Sequence, residues 1–255
     1  LDSILSNRLM NDMHGIWVDD CGILTILTSK DTVVLTDFDG SIKEFFTIMP
    51  DLSVIKDEKL INEDWRFNSK QFRGSAGIWH FNNIQRIGDE IWLTTRSASS
   101  FVVVNTKKLK AKMRLMNLPT PVLLHDGLFH NEKFYFTSID GKIIIAEEGS
   151  SLNWNQQEGN QVDFINLFNR DLVAKIIRIN ETDFGREPNW CRGIAVSEDK
   201  IYVSIDGRYD SDLSFGVLEI DEKTQKTRQV ARLRWDEVGN EDEIRYVTGF
   251  DLIIS

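Results

Sequence analysis

Five gapless copies of a thirteen-residue unit, a strand–turn–strand pattern inside each copy, and prolines confined to the stretches between copies together predict an all-β fold, a five-bladed β-propeller. The copies are HGIWVDDCGILTI from His14, NNIQRIGDEIWLT from Asn82, HDGLFHNEKFYFT from His125, RGIAVSEDKIYVS from Arg192 and EIRYVTGFDLIIS from Glu243. Pro50, Pro119, Pro121 and Pro188 all fall outside them, as expected where a ladder needs every backbone N–H. At 255 residues a propeller folds as one unit, so a single domain over 1–255 is expected.

Within each copy a short first strand meets a polar turn, at Asp19-Asp20, Gly88-Asp89, Asn131-Glu132, Glu198-Asp199 or Gly249, and an apolar second strand such as IWLT, FYFT or IYVS follows. Four copies continue into a β-rich third strand: TVVLTDFD, SFVVVNTK, GKIIIAEE and FGVLEIDE. A fourth, more polar strand is clearest in SIKEFFTI (41–48) and TRQVARLRW (227–235), and four antiparallel strands make a blade. The fifth copy ends at the C-terminus after its second strand, so residues 1–13 are expected to supply a strand that closes the last blade; six blades is the alternative count. The copies start 68, 43, 67 and 51 residues apart, and the two long intervals hold irregular insertions, 49–77 and 149–188. Residues 162–179 fit strand and helix equally by periodicity.

The chain is 41% hydrophobic and 27% charged, with no apolar run near the roughly 18 residues of a membrane helix, which predicts a soluble chain with no membrane partner. A net charge of −10 repels a phosphate backbone and argues against nucleic acid. Cys21 and Cys191 match no metal or redox spacing and read as free thiols of a cytoplasmic protein. The chain starts at Leu1 without the basic-then-apolar layout of a signal peptide, and a processed secreted form is the alternative. No G-x-S-x-G, P-loop or dinucleotide fingerprint occurs. Oligomeric state is not legible.

In a propeller the first strand of each repeat lines a central channel, so His14, Asn82, His125, Arg192 and Glu243 are expected to form one ring at its mouth. Two residues earlier, on the same side of an extended chain, Asp12, His80, Leu123, Trp190 and Glu241 form a second. Three of the four histidines fall in these rings. Imidazoles of His14, His80 and His125 with the Glu243 carboxylate suit iron, manganese or zinc. A calcium site would draw instead on Asn82, Asn83, Asp126 and Glu243. The bland expectation is that these groups hydrogen-bond to one another and to water.

Arg192 beside Trp190 can clamp a carboxylate or phosphate while the indole stacks a ring, and the competing reading pairs Arg192 with Glu243. Arg96 and Arg208, in second-to-third strand loops on the same face, are candidates for further anion contacts, as Asn82 is for a polar one. The expected function is thus a small-molecule site for a sugar- or carboxylate-like ligand. It would be metal-assisted and act as a lyase, isomerase or hydrolase through His125, Arg192 and Glu243. A non-catalytic glycan- or protein-binding module using the same face is the alternative.

The phrases GDEIWLTT, EKFYFTSIDGKI and DKIYVSIDG give the chain a strand-and-turn pattern that resembles the six-bladed gluconolactonase-type and NHL-like propellers over nearly its whole length. HFNN, LHDG and CRGIAV look closer to a group of uncharacterised bacterial propellers known as a domain of unknown function. The resemblance implies the propeller fold and brings no activity with it.

Overall fold

Alternation of apolar and polar side chains, broken every few residues by turn formers, favours short antiparallel strands. The computed structural model describes residues 13–56, 78–96, 100–117, 122–148, 170–179, 190–206 and 214–234. The chain divides into two units, Leu1–Leu115 and Met116–Ser255.

In unit 1, β1 (Met13–Asp19), β2 (Gly22–Leu27), β3 (Thr32–Thr36) and β4 (Ile42–Ile48) form an antiparallel blade, with the short β5 (Val54–Ile55) added beside β4. A 3-10 turn, Thr28–Lys30, joins β2 to β3. The second blade is β6 (Phe81–Ile87), β7 (Glu90–Thr95), β8 (Ser100–Asn105) and β9 (Lys110–Asn117), paired in sequence order. Unit 2 holds the third blade, β10 (Leu124–His130), β11 (Lys133–Ser138), β12 (Lys142–Glu148) and β13 (Arg170–Arg178). Its fourth blade is β14 (Trp190–Ser197), β15 (Lys200–Asp206), β16 (Ser214–Asp221) and β17 (Thr227–Arg234).

Among the described residues the fold is an all-β propeller with four blades, which corrects the expectation of five or six. A repeat of the hairpin alone does not count blades, because a blade needs four strands and the repeated unit holds two. The fifth copy, 243–255, lies outside the described residues, and so does the proposed closing segment up to residue 12. The ambiguous stretch resolves to strand over Arg170–Arg178, where Ile176 pairs with Ile144 and Ile177 with Ile143. Among the described residues no helix is long and apolar enough to cross a membrane.

Each unit has its own core between facing blades. In unit 1, Leu24 and Ile26 of β2 meet Phe81 and Ile84 of β6 and Leu93 of β7. In unit 2, Tyr135, Ile143 and Ile145 meet Cys191, Ile201, Val203 and Leu218. Burying each large apolar side chain contributes about 1.5–3 kcal/mol before entropy is subtracted. A polar clamp adds to the unit 2 core: Glu222, just after β16, accepts from Lys133 Nζ at 2.5 Å and from the Tyr135 hydroxyl at 2.9 Å. Burial, then the Glu222 hydrogen bond and charge, push the Tyr135 hydroxyl well above its usual titration range.

Two glycines are required by geometry. Gly22 opens β2 at φ +130°, and a Cβ there would collide with the Thr36 carbonyl. Gly15 has no conformational need, but a Cβ would lie 3.0 Å from the Asn83 Cα, so its absence lets β1 and β6 approach.

Candidate functional site

All four blades share one irregularity. Between β1 and β2 the pairing steps from Met13↔Leu27 to Ile16↔Thr25, three residues against two. The same step occurs from Leu124↔Ser138 to Gly127↔Phe136 and from Cys191↔Ile205 to Ile194↔Val203, and blade 2 has its version from Phe81↔Thr95 to Asn83↔Thr94. Each is a β-bulge, in which the additional residue bends the strand and re-aims a side chain. The bulges fall on His14-Gly15, Asn82, His125-Asp126 and Arg192-Gly193, the positions that the gapless copies align. The polar residues at the head of each copy are thus presented by a recurring backbone device.

In unit 1 three of the expected residues come together. His14 Nδ1 lies 3.1 Å from Asn82 Oδ1, and the rings of His14 and His80 meet edge-on at 5.5 Å between centroids. Asn82 is buried while His14 is exposed, so the cluster runs from the interior to the surface. Arg96 is exposed and joins through its backbone, donating its N–H to the His80 carbonyl at 3.3 Å.

A residue that sequence reasoning passed over organises this cluster. Asp31 follows the 3-10 turn in a left-handed conformation (φ 48°) and is buried. Its Oδ2 accepts the Trp79 N–H at 3.1 Å and its Oδ1 the His80 N–H at 3.1 Å. Burial pushes its carboxyl up to about 6, and the amides of Trp79, His80 and Ile78 oppose that rise. Two further bonds join the same stretch to blade 1: the Thr28 hydroxyl donates to the Phe81 carbonyl at 2.6 Å, and the Trp79 indole to the Met49 carbonyl at 3.1 Å. The available signal was Asp31 at the end of TSKD, a short polar connection between the apolar strands β2 and β3.

In unit 2, His125 and Asp126 form a buried pair with Nδ1 to Oδ1 at 2.6 Å. The Asp126 N–H donates to Thr137 Oγ1 at 3.0 Å, which lies opposite the bulge on β11. An ionised carboxylate only accepts, so Nδ1 carries the ring proton and a neutral His125 presents its lone pair at Nε2. Arg192 is half-buried in the bulge of β14. Cys191 beside it is fully enclosed, and burial, helped by the charge of Asp140, pushes its thiol up to about 12, which keeps it a neutral packing group.

Glu243, Arg208, Asp12 and Glu241 lie outside the described residues, and of Trp190 only the backbone, paired with Asp206, is described. Leu123 is exposed at 43%. Of the calcium set, Asn82 and Asn83 belong to unit 1, Asp126 bonds to His125 through Oδ1 in unit 2, and Glu243 lies outside the described residues. Among the described residues no three of His, Cys, Asp or Glu are grouped to hold a metal ion.

No protein family model matches the chain, and no curated protein does. Among solved structures it is similar to the extracellular domain of a hybrid two component system from B. thetaiotaomicron, with 8% identity and a TM-score of 0.45 over 87% of this chain and 22% of that one. It is similar to Myxococcus xanthus glutaminyl cyclase, with 10% identity and a TM-score of 0.45 over 85% of this chain and 68% of that one. A third likeness is to U3-55K, with 11% identity and a TM-score of 0.46 over 85% of this chain and 51% of that one. Similarity at this level says nothing about what the chain binds or does.

Proposed function

We propose that this propeller binds a small polar or anionic ligand, sugar- or carboxylate-like, through polar side chains that first-strand bulges present within a unit, His14 and Asn82 in unit 1 or His125 and Arg192 in unit 2. The observation that carries the reading is the recurrence of the bulge at His14, Asn82, His125 and Arg192. Bulges are over-represented at sheet edges and beside active sites, where they re-aim side chains, and here each one falls on a polar residue at the head of a copy. The described side chains offer imidazole, amide and guanidinium groups, so recognition rests on hydrogen bonds and charge, with Arg192 suited to an anion.

Any chemistry would centre on His125. Asp126 holds its tautomer and would stabilise the imidazolium formed when Nε2 accepts a proton from the ligand, which fits a lyase, isomerase or hydrolase. A second reading, a non-catalytic binding module, draws on Ile16 and Val18, which stand 54% and 57% exposed on β1.

Amide NMR during titration with glucose, gluconate, glucuronate and succinate tests the reading. Shifts centred on the bulge residues are expected with at least one of them, and Asn82→Ala or His125→Ala should weaken that ligand about tenfold, one good hydrogen bond. Absence of any shift at millimolar ligand, or equal binding by folded variants, overturns it. Specific binding with no turnover would move the weight to the second reading.

A further inference from the structure

We infer that Asp31 is the positioning residue of the unit 1 cluster, holding a left-handed turn at His80 that aims the His80 imidazole at His14. The inference rests on the proposed ligand role of His14, His80 and Asn82 and names the residue that orders them.

His80 stands at φ 47°, a left-handed conformation that is uncommon for residues with a Cβ, though less so for His than for most, and that its surroundings must hold. What imposes it is visible. The Asp31 carboxylate takes two consecutive N–H groups, those of Trp79 and His80, one on each oxygen. Successive amides turned toward one anion are the backbone arrangement of an anion nest, here filled by the protein's own carboxylate. Asp31 is itself fixed. Its N–H donates to the Thr28 carbonyl at 3.4 Å and its carbonyl accepts from the Ile48 N–H at 3.0 Å, which ties it to the 3-10 turn and to β4.

The neighbouring bonds do not do the same work. Thr28 acts on Phe81 and the Trp79 indole on Met49, and both join blade 1 to blade 2 without touching the His80 amide. The Arg96 N–H binds the His80 carbonyl and orients the peptide after His80. Among these bonds only those to Asp31 orient the peptide before it, and it is the two orientations together that fix the rotation about the His80 N–Cα bond. Without Asp31, His80 relaxes toward ordinary negative φ and its ring leaves the edge-on contact with His14.

The experiment compares the ligand-free parent with Asp31→Ala, Asp31→Asn and Thr28→Val. The readouts are the imidazole carbon and proton shifts of His14 and His80, the cross-relaxation between the two rings, and the amide spectrum as a check of fold. Asp31→Ala should abolish the inter-ring signal and displace the His80 resonances, while the core signals of both blades stay in place. Asp31→Asn, of the same shape but with one acceptor oxygen, should give an intermediate displacement and decides the matter should the alanine variant fail to fold. Thr28→Val removes a buried blade-to-blade bond and should leave both rings where they are, which separates positioning from general loosening. Rings unmoved in a folded Asp31 variant, or moved equally by Thr28→Val, overturn the inference. Gluconate titration of the same proteins then separates the two claims: loss of about tenfold or more in affinity on Asp31→Ala supports both. Rings displaced in the Asp31 variants, with a parent that binds none of the four test ligands, uphold the role of Asp31 and refute the proposed function instead.

Discussion

Asp126 decides which nitrogen of His125 can act. In the parent, nitrogen-15 NMR at a pH where the ring is neutral should show a protonated Nδ1 and an unprotonated Nε2. Asp126→Ala should shift the ring toward the other tautomer, and an unchanged pattern would show that the carboxylate does not set it. Asp31 is instead a carboxylate that burial disfavours. Its folded carboxyl titrates near 6 against an ordinary 3.8, so on acidification the folded state takes up the proton first. Stability contributed at this residue therefore rises as pH falls from about 6 to about 4, by up to about 3 kcal/mol. Unfolding measured against Asp31→Asn between pH 7 and 4 should show the parent gaining relative to the variant. A parent that loses ground over that window would contradict the burial seen here.

At the scale of the element, the blades are legible because a hairpin writes itself in period-two patterning and turn residues. Asn131 and Glu132 join β10 to β11 in left-handed conformations, φ 47° and 64°, as the polar turn predicts. The third strands TVVLTDFD and FGVLEIDE fall on β3 and β16. Bulges are not legible, since an additional residue in one strand shows only against its partner's count. Gly22→Ala forces a side chain into the Thr36 carbonyl at a φ that disfavours it, and should cost at least about 1 kcal/mol in urea unfolding. Removing the polar clamp of unit 2 by Glu222→Ala strips partners from Lys133 and Tyr135 and should cost about 1–3 kcal/mol in the same assay.

For the whole molecule, charge is the property that acts at a distance. With a net charge of −10 the chain should show no binding to duplex DNA by fluorescence anisotropy at physiological salt. Tight binding would reveal a basic surface that the charge balance conceals. Core substitutions act within a unit: Phe81→Ala in unit 1 and Ile201→Ala in unit 2 should each cost about 2–5 kcal/mol, because both side chains are fully enclosed.

The sequence by itself determined the β class, the hairpin repeat and the position of the polar residue that heads each of the four described copies. All three depend on local patterning and on turn chemistry that operates over a few residues. Blade count was misjudged because hairpins, not complete four-stranded sheets, were what repeated. The partners of the polar residues belong to the tertiary structure alone. Asp31 stands 49 residues from His80 and Asn82 stands 68 from His14, and contacts across such separations arise from the packing of one blade on the next. Burial decided the rest: the same packing that encloses Asp31 raises its proton affinity, and no pattern along the chain records how much water a side chain has lost.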